Sequence, residues 1–345
     1  MRRKRAVSAR KHEIICGCAA RGDYSMYMFK YILKRIGLLL LSFCVIMLMC
    51  FVLIKLLPIT IQDAIGADKE MLEATLRARG YYDPIPVQLV NYLKRIFRDG
   101  DFGVGVNMPE YKNQPVWDAF ASRLPPTVLI NVYSTLIGVP IGIALGIFAA
   151  LKKNKWQDQA ISTGVMLMIS VPSIVYAFLI QYIFCFKLKI FPLMMNTGTD
   201  YFSWSMFRSM MPAVLSLCLG SIAGYTRFTR AELTEVLTGE YMLLARTKGL
   251  TKGQATVRHA LRNAMVPIFP MILSEFVSVL SGSMIIENIF AIPGVGRLYL
   301  TAIQVRDYDF FMLLSGFYTL VGLLAGIVVD ISYGFIDPRI RMGAK

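Results

Sequence analysis

Residues 127–149 read TVLINVYSTLIGVPIGIALGIFA, a run with no charged side chain. A helix of that length crosses the ~30 Å hydrocarbon core of a bilayer. Within it Gly138, Gly142 and Gly146 recur every fourth residue. Such spacing gives a helix one face of small residues against which a second helix can pack closely. Runs of the same kind occupy residues 36–54, 159–186, 209–226 and 310–329, and a further one, 263–286, is broken only by Glu275. Of the whole chain of 345 residues, 56% are hydrophobic. This is too apolar for an ordinary water-soluble domain. The expected fold is an all-α polytopic membrane protein with six transmembrane helices.

Six spans put both termini on one side, and Lys and Arg choose the side. Segments 1–35, 150–158, 227–262 and 330–345 hold 23 Lys/Arg against 8 Asp/Glu, and the rest of the chain is neutral. The whole net charge of +15 therefore falls on one face, as expected of a cytoplasmic surface. Because that charge flanks apolar helices, it points to lipid head groups and away from nucleic acid. Four of the six cysteines lie within spans and none in the long outer segment, so no disulfide framework is expected. Cys16 and Cys18 have only His12 and His259 as potential metal co-ligands, which makes no zinc set.

The linear order gives the domains. Residues 1–27 form a basic cytoplasmic tail without the apolar core of a signal peptide. MFKYILKR, from Met28, reads as the natural opening of the first span, and translation is expected to start at Met26 or Met28. Residues 28–57 carry that span. Residues 58–126 form a small extracytoplasmic helical insertion, with helix-prone KEMLEATLRARG and PVQLVNYLKRIF separated by Asp83-Pro84 and followed by GDFGVGV. Residues 127–336 form the five-helix core, and residues 337–345 a cytoplasmic tail. Pro172, Pro267 and Pro270 interrupt the helical ladder, either as simple kinks or as bends in helices that line a cavity.

The basic stretch 239–263, GEYMLLARTKGLTKGQATVRHALRN, lies in the inner loop 227–262. Helix formers lead to Gly249, a terminator. Thr251 with Gln254 three residues on forms a capping box for a second helix. Tyr241, Leu244, Ala245 and Lys248 fall on one face by spacing. An apolar face with basic edges suits a lipid interface or a groove on a partner protein, and the defined corner favours the partner.

Glu275 stands in the middle of the fifth apolar run. A carboxylate there costs about 2.5 kcal/mol or more unless it meets a cavity or a partner. With Ser274, Ser278 and Ser281 it is a candidate pore-lining strip; the alternative is a carboxyl hydrogen-bonded between helices. Asp330, Asp337 and Arg339 form a candidate ion-pair cluster at the inner end of the last span. Arg306, Asp307 and Asp309 either shape a gate or stand in solvent, and Arg297 belongs to a turn. No Ser/His or paired-carboxylate arrangement suggests an intramembrane enzyme. No glycine precedes a lysine, so there is no GxxxxGK[ST] phosphate loop. Energy for any transport comes from a partner, a gradient or nothing.

ARTKGL (245–250), RHALRNAMVP (258–267), ENIFAIPGVGRL (287–298), VRDYD (305–309) and DPRIR (337–341) resemble, in this order, the motifs of permeases of the dipeptide/oligopeptide/nickel ABC-transporter family. MFKYILKRIGLLL, YYDPIPVQLVNYLKRIFRDGDFG and SRLPPTVL extend the resemblance over residues 28–342. The wider permease loop pattern begins with Glu-Ala-Ala; Leu243-Leu244-Ala245 stand here, so the acidic residue is missing. The resemblance implies a type I ABC-importer permease fold and a half-pore without cofactors of its own. It implies a second, homologous permease, two cytoplasmic ATPases that hydrolyse ATP, and an extracytoplasmic substrate-binding protein. It also implies a multi-pass location in a bacterial or archaeal cell membrane, with Glu240, Tyr241, Leu244, Ala245, Arg246, Lys248, Gly249 and Leu250 forming the ATPase-coupling loop. Peptides are the expected cargo, with nickel within the family's range. A stand-alone channel, or an ion-coupled carrier using Glu275, is the alternative.

Overall fold

The computed structural model describes residues 30–57, 67–78, 80–196, 198 and 200–336. The chain divides into two compact units, residues 1–46 and 47–345. The described part of the first unit belongs to helix α1 (Lys30–Leu56) and exposes most of its apolar side chains. The second unit contains all remaining elements. These are α2 (Ala67–Ala78), α3 (Ile85–Lys94), α4 (Val116–Leu151), α5 (Trp156–Ser170), α6 (Ser173–Ile180) and α7 (Trp204–Thr238). They continue with α8 (Glu240–Thr247), α9 (Lys252–Ala255), α10 (Leu261–Ser278), α11 (Met284–Ile289), α12 (Val295–Gln304) and α13 (Tyr308–Ile336). Among the described residues there is no strand, only two isolated bridges.

Among the described residues five helices are long and apolar enough to cross a membrane, and α5 with the α6 stretch, bent by 101°, makes a sixth if the pair is one span. The bend sits at Val171-Pro172, where proline both lacks its N–H and forces the preceding residue out of the helical region. The single run expected over 159–186 is thus two helical stretches set at a sharp angle.

Other limits move for equally local reasons. Helix α4 begins at Val116, eleven residues before the charge-free run, because Asp118 and Arg123 join its first turns. It passes through Pro125, Pro126 and Pro140. Helix α7 runs past the expected end at 226 to Thr238. Helix α10 stops at Ser278 instead of reaching 286: Gly282 takes φ +64°, and Ser283 caps the separate α11 by accepting from the Ile286 N–H at 3.4 Å.

The core is built on α4 against α7. Gly138, Gly142 and Gly146 face Ser221, Tyr225 and Thr229, so closely that a Cβ at Gly142 would lie 2.7 Å from that of Tyr225. The Thr226 hydroxyl donates to the Gly142 carbonyl across the same seam at 3.1 Å. The four-residue glycine spacing performs the packing expected of it.

Candidate functional site

Three polar constructions stand out, one at each end of the bundle and one between the spans. The first is the elbow formed by α8, α9 and the start of α10. Helix α8 ends in a Schellman turn. Gly249, at φ +86°, lets its N–H reach Arg246 O at 3.0 Å and the Leu250 N–H reach Ala245 O at 3.3 Å. Thr251 then accepts from the Gln254 N–H at 3.3 Å while its own N–H donates to Gln254 Oε1 at 3.1 Å, completing the capping box. Met242, Ala245, Ala255, Ala260 and Ala264 bury their side chains with Leu233 of α7 and Ala150 of α4. Leu243 and Leu244, 66% and 56% exposed, point outward with Arg246, Thr247 and Lys248.

This corrects the face expected from spacing. Ala245 is buried, and Leu250 is partly buried against the same inner cluster. Leu243, not singled out from the sequence, takes the outward place instead. Glu240 and Gly249 remain exposed. Beside the elbow, Asp158 of α5 accepts two hydrogen bonds from Arg230 of α7, at 2.5 and 2.9 Å, and one from the Asn154 N–H at 2.9 Å.

The second construction is a cavity of about 440 Å³. It is walled by Gly220, Ser221, Gly224 and Tyr225 of α7, by Pro270, Met271, Ser274 and Glu275 of α10, and by Val329 of α13. Ser221 Oγ donates to Glu275 Oε1 at 2.9 Å. Of the expected strip, Glu275 and Ser274 meet in this cavity. Ser278 is exposed, spends its hydroxyl on the Ser274 carbonyl at 2.9 Å, and does not line it. Ser281 lies beyond the end of α10 and is also absent from the wall. Pro270 contributes to the lining, so a proline of this helix does face the cavity.

The third construction, at the far end from the elbow, was missed by sequence reasoning. Glu287 of α11 is 2% exposed. It accepts from Thr127 Oγ1 at 2.9 Å and from the Arg297 N–H at 3.0 Å, while Thr127 Oγ1 accepts from the Val295 N–H at 2.8 Å. The carboxyl thus sits on the N-terminus of α12 and ties it to α4. Burial pushes it up to about 7 against the opposing pull of those hydrogen bonds. The run of Pro293, Gly294 and Gly296 directly after a lone acid was the available signal.

Asp307 is fully buried and Asp309 nearly so, which overturns the solvated reading. Asp307 Oδ2 accepts from the N–H groups of Val106 and Asn107, both at 2.7 Å, and of Met108 at 3.3 Å. Burial raises its carboxyl to about 6, with the Asp309 charge adding to the rise. Asp309 accepts from the Val104 N–H at 3.3 Å and pairs with Arg95 at 3.5 Å. Gly103, at φ +99°, passes so near this carboxylate that no side chain fits. Lys55 Nζ stands 3.9 Å from the Tyr81 ring centre and 4.5 Å from that of Tyr308. Asp330 lies in α13, while Asp337 and Arg339 fall outside the described residues.

Spans that wall an open cavity carrying a carboxylate and serine hydroxyls, with a doubly capped elbow at one end and a carboxylate-tied cap at the other, define a polytopic α-helical membrane protein of transport type. The comparisons with known proteins make this specific. The chain belongs to the binding-protein-dependent transport system inner membrane components: that family's model matches residues 142–342, and the model of its N-terminal region matches residues 28–131.

Among relatives, the dipeptide transport system permease protein DppB of Bacillus subtilis (strain 168) is 33% identical over 92% of this chain and 100% of its own length. The glutathione transport system permease protein GsiC of Escherichia coli (strain K12) is 32% identical over 91% and 99%. A chain from the crystal structure of an amino acid ABC transporter with histidines aligns at a TM-score of 0.48 and 19% identity, over 64% of this chain and 94% of that one. The protein is a multi-pass permease subunit of a binding-protein-dependent ABC importer. Family members work with a substrate-binding protein and with ATPases carried on other chains.

Proposed function

We propose that this chain is one half of a peptide-import pore, paired with a second permease and driven by two ATPases that dock on the elbow. The observation that carries this reading is the outward face of α8. Leu243 and Leu244 expose apolar surface beside Arg246 and Lys248, on a helix whose C-terminal end is fixed by a Schellman turn and followed at once by the capped α9. A helix laid in a groove needs apolar anchors at helical spacing and a rigid mount. A lipid anchor needs no fixed corner. The dipeptide and glutathione cargoes named for the two relatives support peptides as the substrate class.

With both termini on the basic side, the elbow faces the cytoplasm, the Glu287 and Asp307 constructions face outward, and cargo passes along the cavity that Glu275 and Ser274 line. The chain carries no phosphate loop, so nucleotide chemistry belongs to its partners.

The test is photocrosslinking from positions 243, 244 and 248 in membrane vesicles that hold the complete system. Crosslinks to an ATP-hydrolysing subunit are expected from all three, with none from the buried position 245. Leu243→Asp combined with Leu244→Asp should leave the chain in the membrane and abolish ATP-dependent peptide uptake. Uptake that survives this change, or that a proton gradient drives without ATP, would favour the ion-coupled carrier instead.

A further inference from the structure

We propose that the cavity between α7, α10 and α13 is a binding site for the ammonium group at the amino end of a short peptide. In this site Glu275 is the counter-charge and Ser221 the positioning residue. This rests on the reading of the chain as a peptide importer's permease and adds to it a recognition step within the membrane.

The first support is an unbalanced charge. Glu275 is half-buried in a span, where a carboxylate is retained only against a cavity or a partner. Among the described residues no Lys, Arg or His pairs with it. Its one hydrogen bond among the described residues comes from Ser221 and holds Oε1, so no described donor meets Oε2. The Ser274 hydroxyl stands in the same wall without a hydrogen bond among the described residues, ready to accept one from a second ammonium proton.

The second support is space that helix packing does not require. A Cβ at Gly224 would meet nothing within 4 Å, and at Gly220 only the Tyr176 hydroxyl at 3.6 Å. Gly138, Gly142 and Gly146 are glycine because a neighbouring helix presses on them; Gly220 and Gly224 are not. Their missing side chains keep the wall open, and the resulting 440 Å³ falls within the roughly 300–1,000 Å³ of small-molecule sites.

The nature of the cation follows from the lining. A hard divalent ion takes about six or more oxygen ligands. No group of three metal-ligating side chains occurs among the described residues. One carboxylate flanked by serine hydroxyls suits a primary ammonium. The wall carries no basic residue, so nothing there grips a peptide's carboxylate end. The site reads the amino end alone and places no limit on length.

The experiment uses the purified complex with its partner subunits and Ser274→Cys as a reporter, each rate being corrected for the parent chain. A cationic methanethiosulfonate should label position 274 roughly tenfold or more faster than an anionic one. Adding Glu275→Gln should bring the two rates together. A millimolar free-amine dipeptide should slow labelling while its N-acetylated form does not, and Ser221→Ala should weaken that discrimination. The peptide comparison needs no change at Glu275, so a poorly folding variant leaves the test intact.

Equal reagent rates, or equal protection by free and acetylated peptide, would overturn the proposal. Labelling that responds to pH but to neither peptide would overturn it in favour of a proton site. ATP-driven dipeptide uptake on the same preparations separates the two levels. Uptake without protection sinks this inference alone, whereas wild-type complex that fails to move peptide sinks the importer reading with it.

Discussion

Replacing the packing glycines of α4 with alanine tests whether the α4–α7 seam holds the bundle together. At Gly146 a new Cβ would stand 2.6 Å from Thr229 Cβ and 2.8 Å from the Thr226 carbonyl oxygen; at Gly142, 2.7 Å from Tyr225 Cβ and 3.0 Å from Ile222 O. At Gly138 the closest atom is Ser221 Cβ at 3.0 Å, with the nearest backbone oxygen at 3.4 Å. Carbon contacts settle at about 3.5–4.0 Å, and overpacking of this kind costs about 1–3 kcal/mol. Alanine gains back about 1 kcal/mol of helix propensity.

Gly164 of α5, where a Cβ meets nothing within 4 Å, shows that gain without the clash. Thermal unfolding in detergent should therefore rank Gly146→Ala lowest, then Gly142→Ala, then Gly138→Ala, with Gly164→Ala at or above wild type. The Gly142 and Gly164 variants should differ by about 1–3 kcal/mol. If Gly142→Ala melts with Gly164→Ala, the seam is not tight and the packing argument fails.

The far-end carboxylates make further predictions. Glu287 is raised to about 7 from an ordinary 4.5, so its contribution to stability is complete below 4.5 and is lost as pH climbs through 7. Detergent-solubilised protein should melt higher at pH 5.5 than at pH 8. Glu287→Gln should flatten that slope, while the part due to Asp307, which has the same sign, remains. Asp307→Ala strands the buried N–H groups of Val106 and Met108, at about 1–3 kcal/mol each, and limited proteolysis should then cut residues 95–115 faster. At the elbow, Thr251→Ala removes the capping hydroxyl and should cost about 1 kcal/mol. In vesicles, hydrogen exchange of α9 should rise while that of α7 holds. Unchanged exchange would deny the cap its role.

Where the sequence spoke clearly, one physical rule acted alone. Charge-free runs marked the spans because hydrocarbon tolerates nothing else, and Thr251 with Gln254 marked the elbow's second helix because a capping box is local. Boundaries were lost where two rules competed. Asp118 and Arg123 hid the first turns of α4, and Ser281 looked like part of a stripe only while α10 was assumed to continue. Spacing alone could not tell the inward from the outward face of α8, since Ala245 and Leu244 are neighbours and both apolar. The roles of Glu287 and Asp307 depend on backbone N–H groups that distant turns deliver, which no short motif records.

Helix α7 is one unbroken rod of 35 residues, about 52 Å long, and a single residue, Gly239, joins it to α8. Its partner α4 spans the same depth and is clamped at the opposite end through Thr127. A push on the elbow therefore has no soft joint in which to dissipate before it reaches Ser221, some 25 Å up the shaft. Were α7 to pivot about its far end, its share of the cavity wall would move by a fixed fraction of the elbow's travel. In the import cycle proposed above, gearing set by where the fulcrum lies would decide how far the passage opens per stroke.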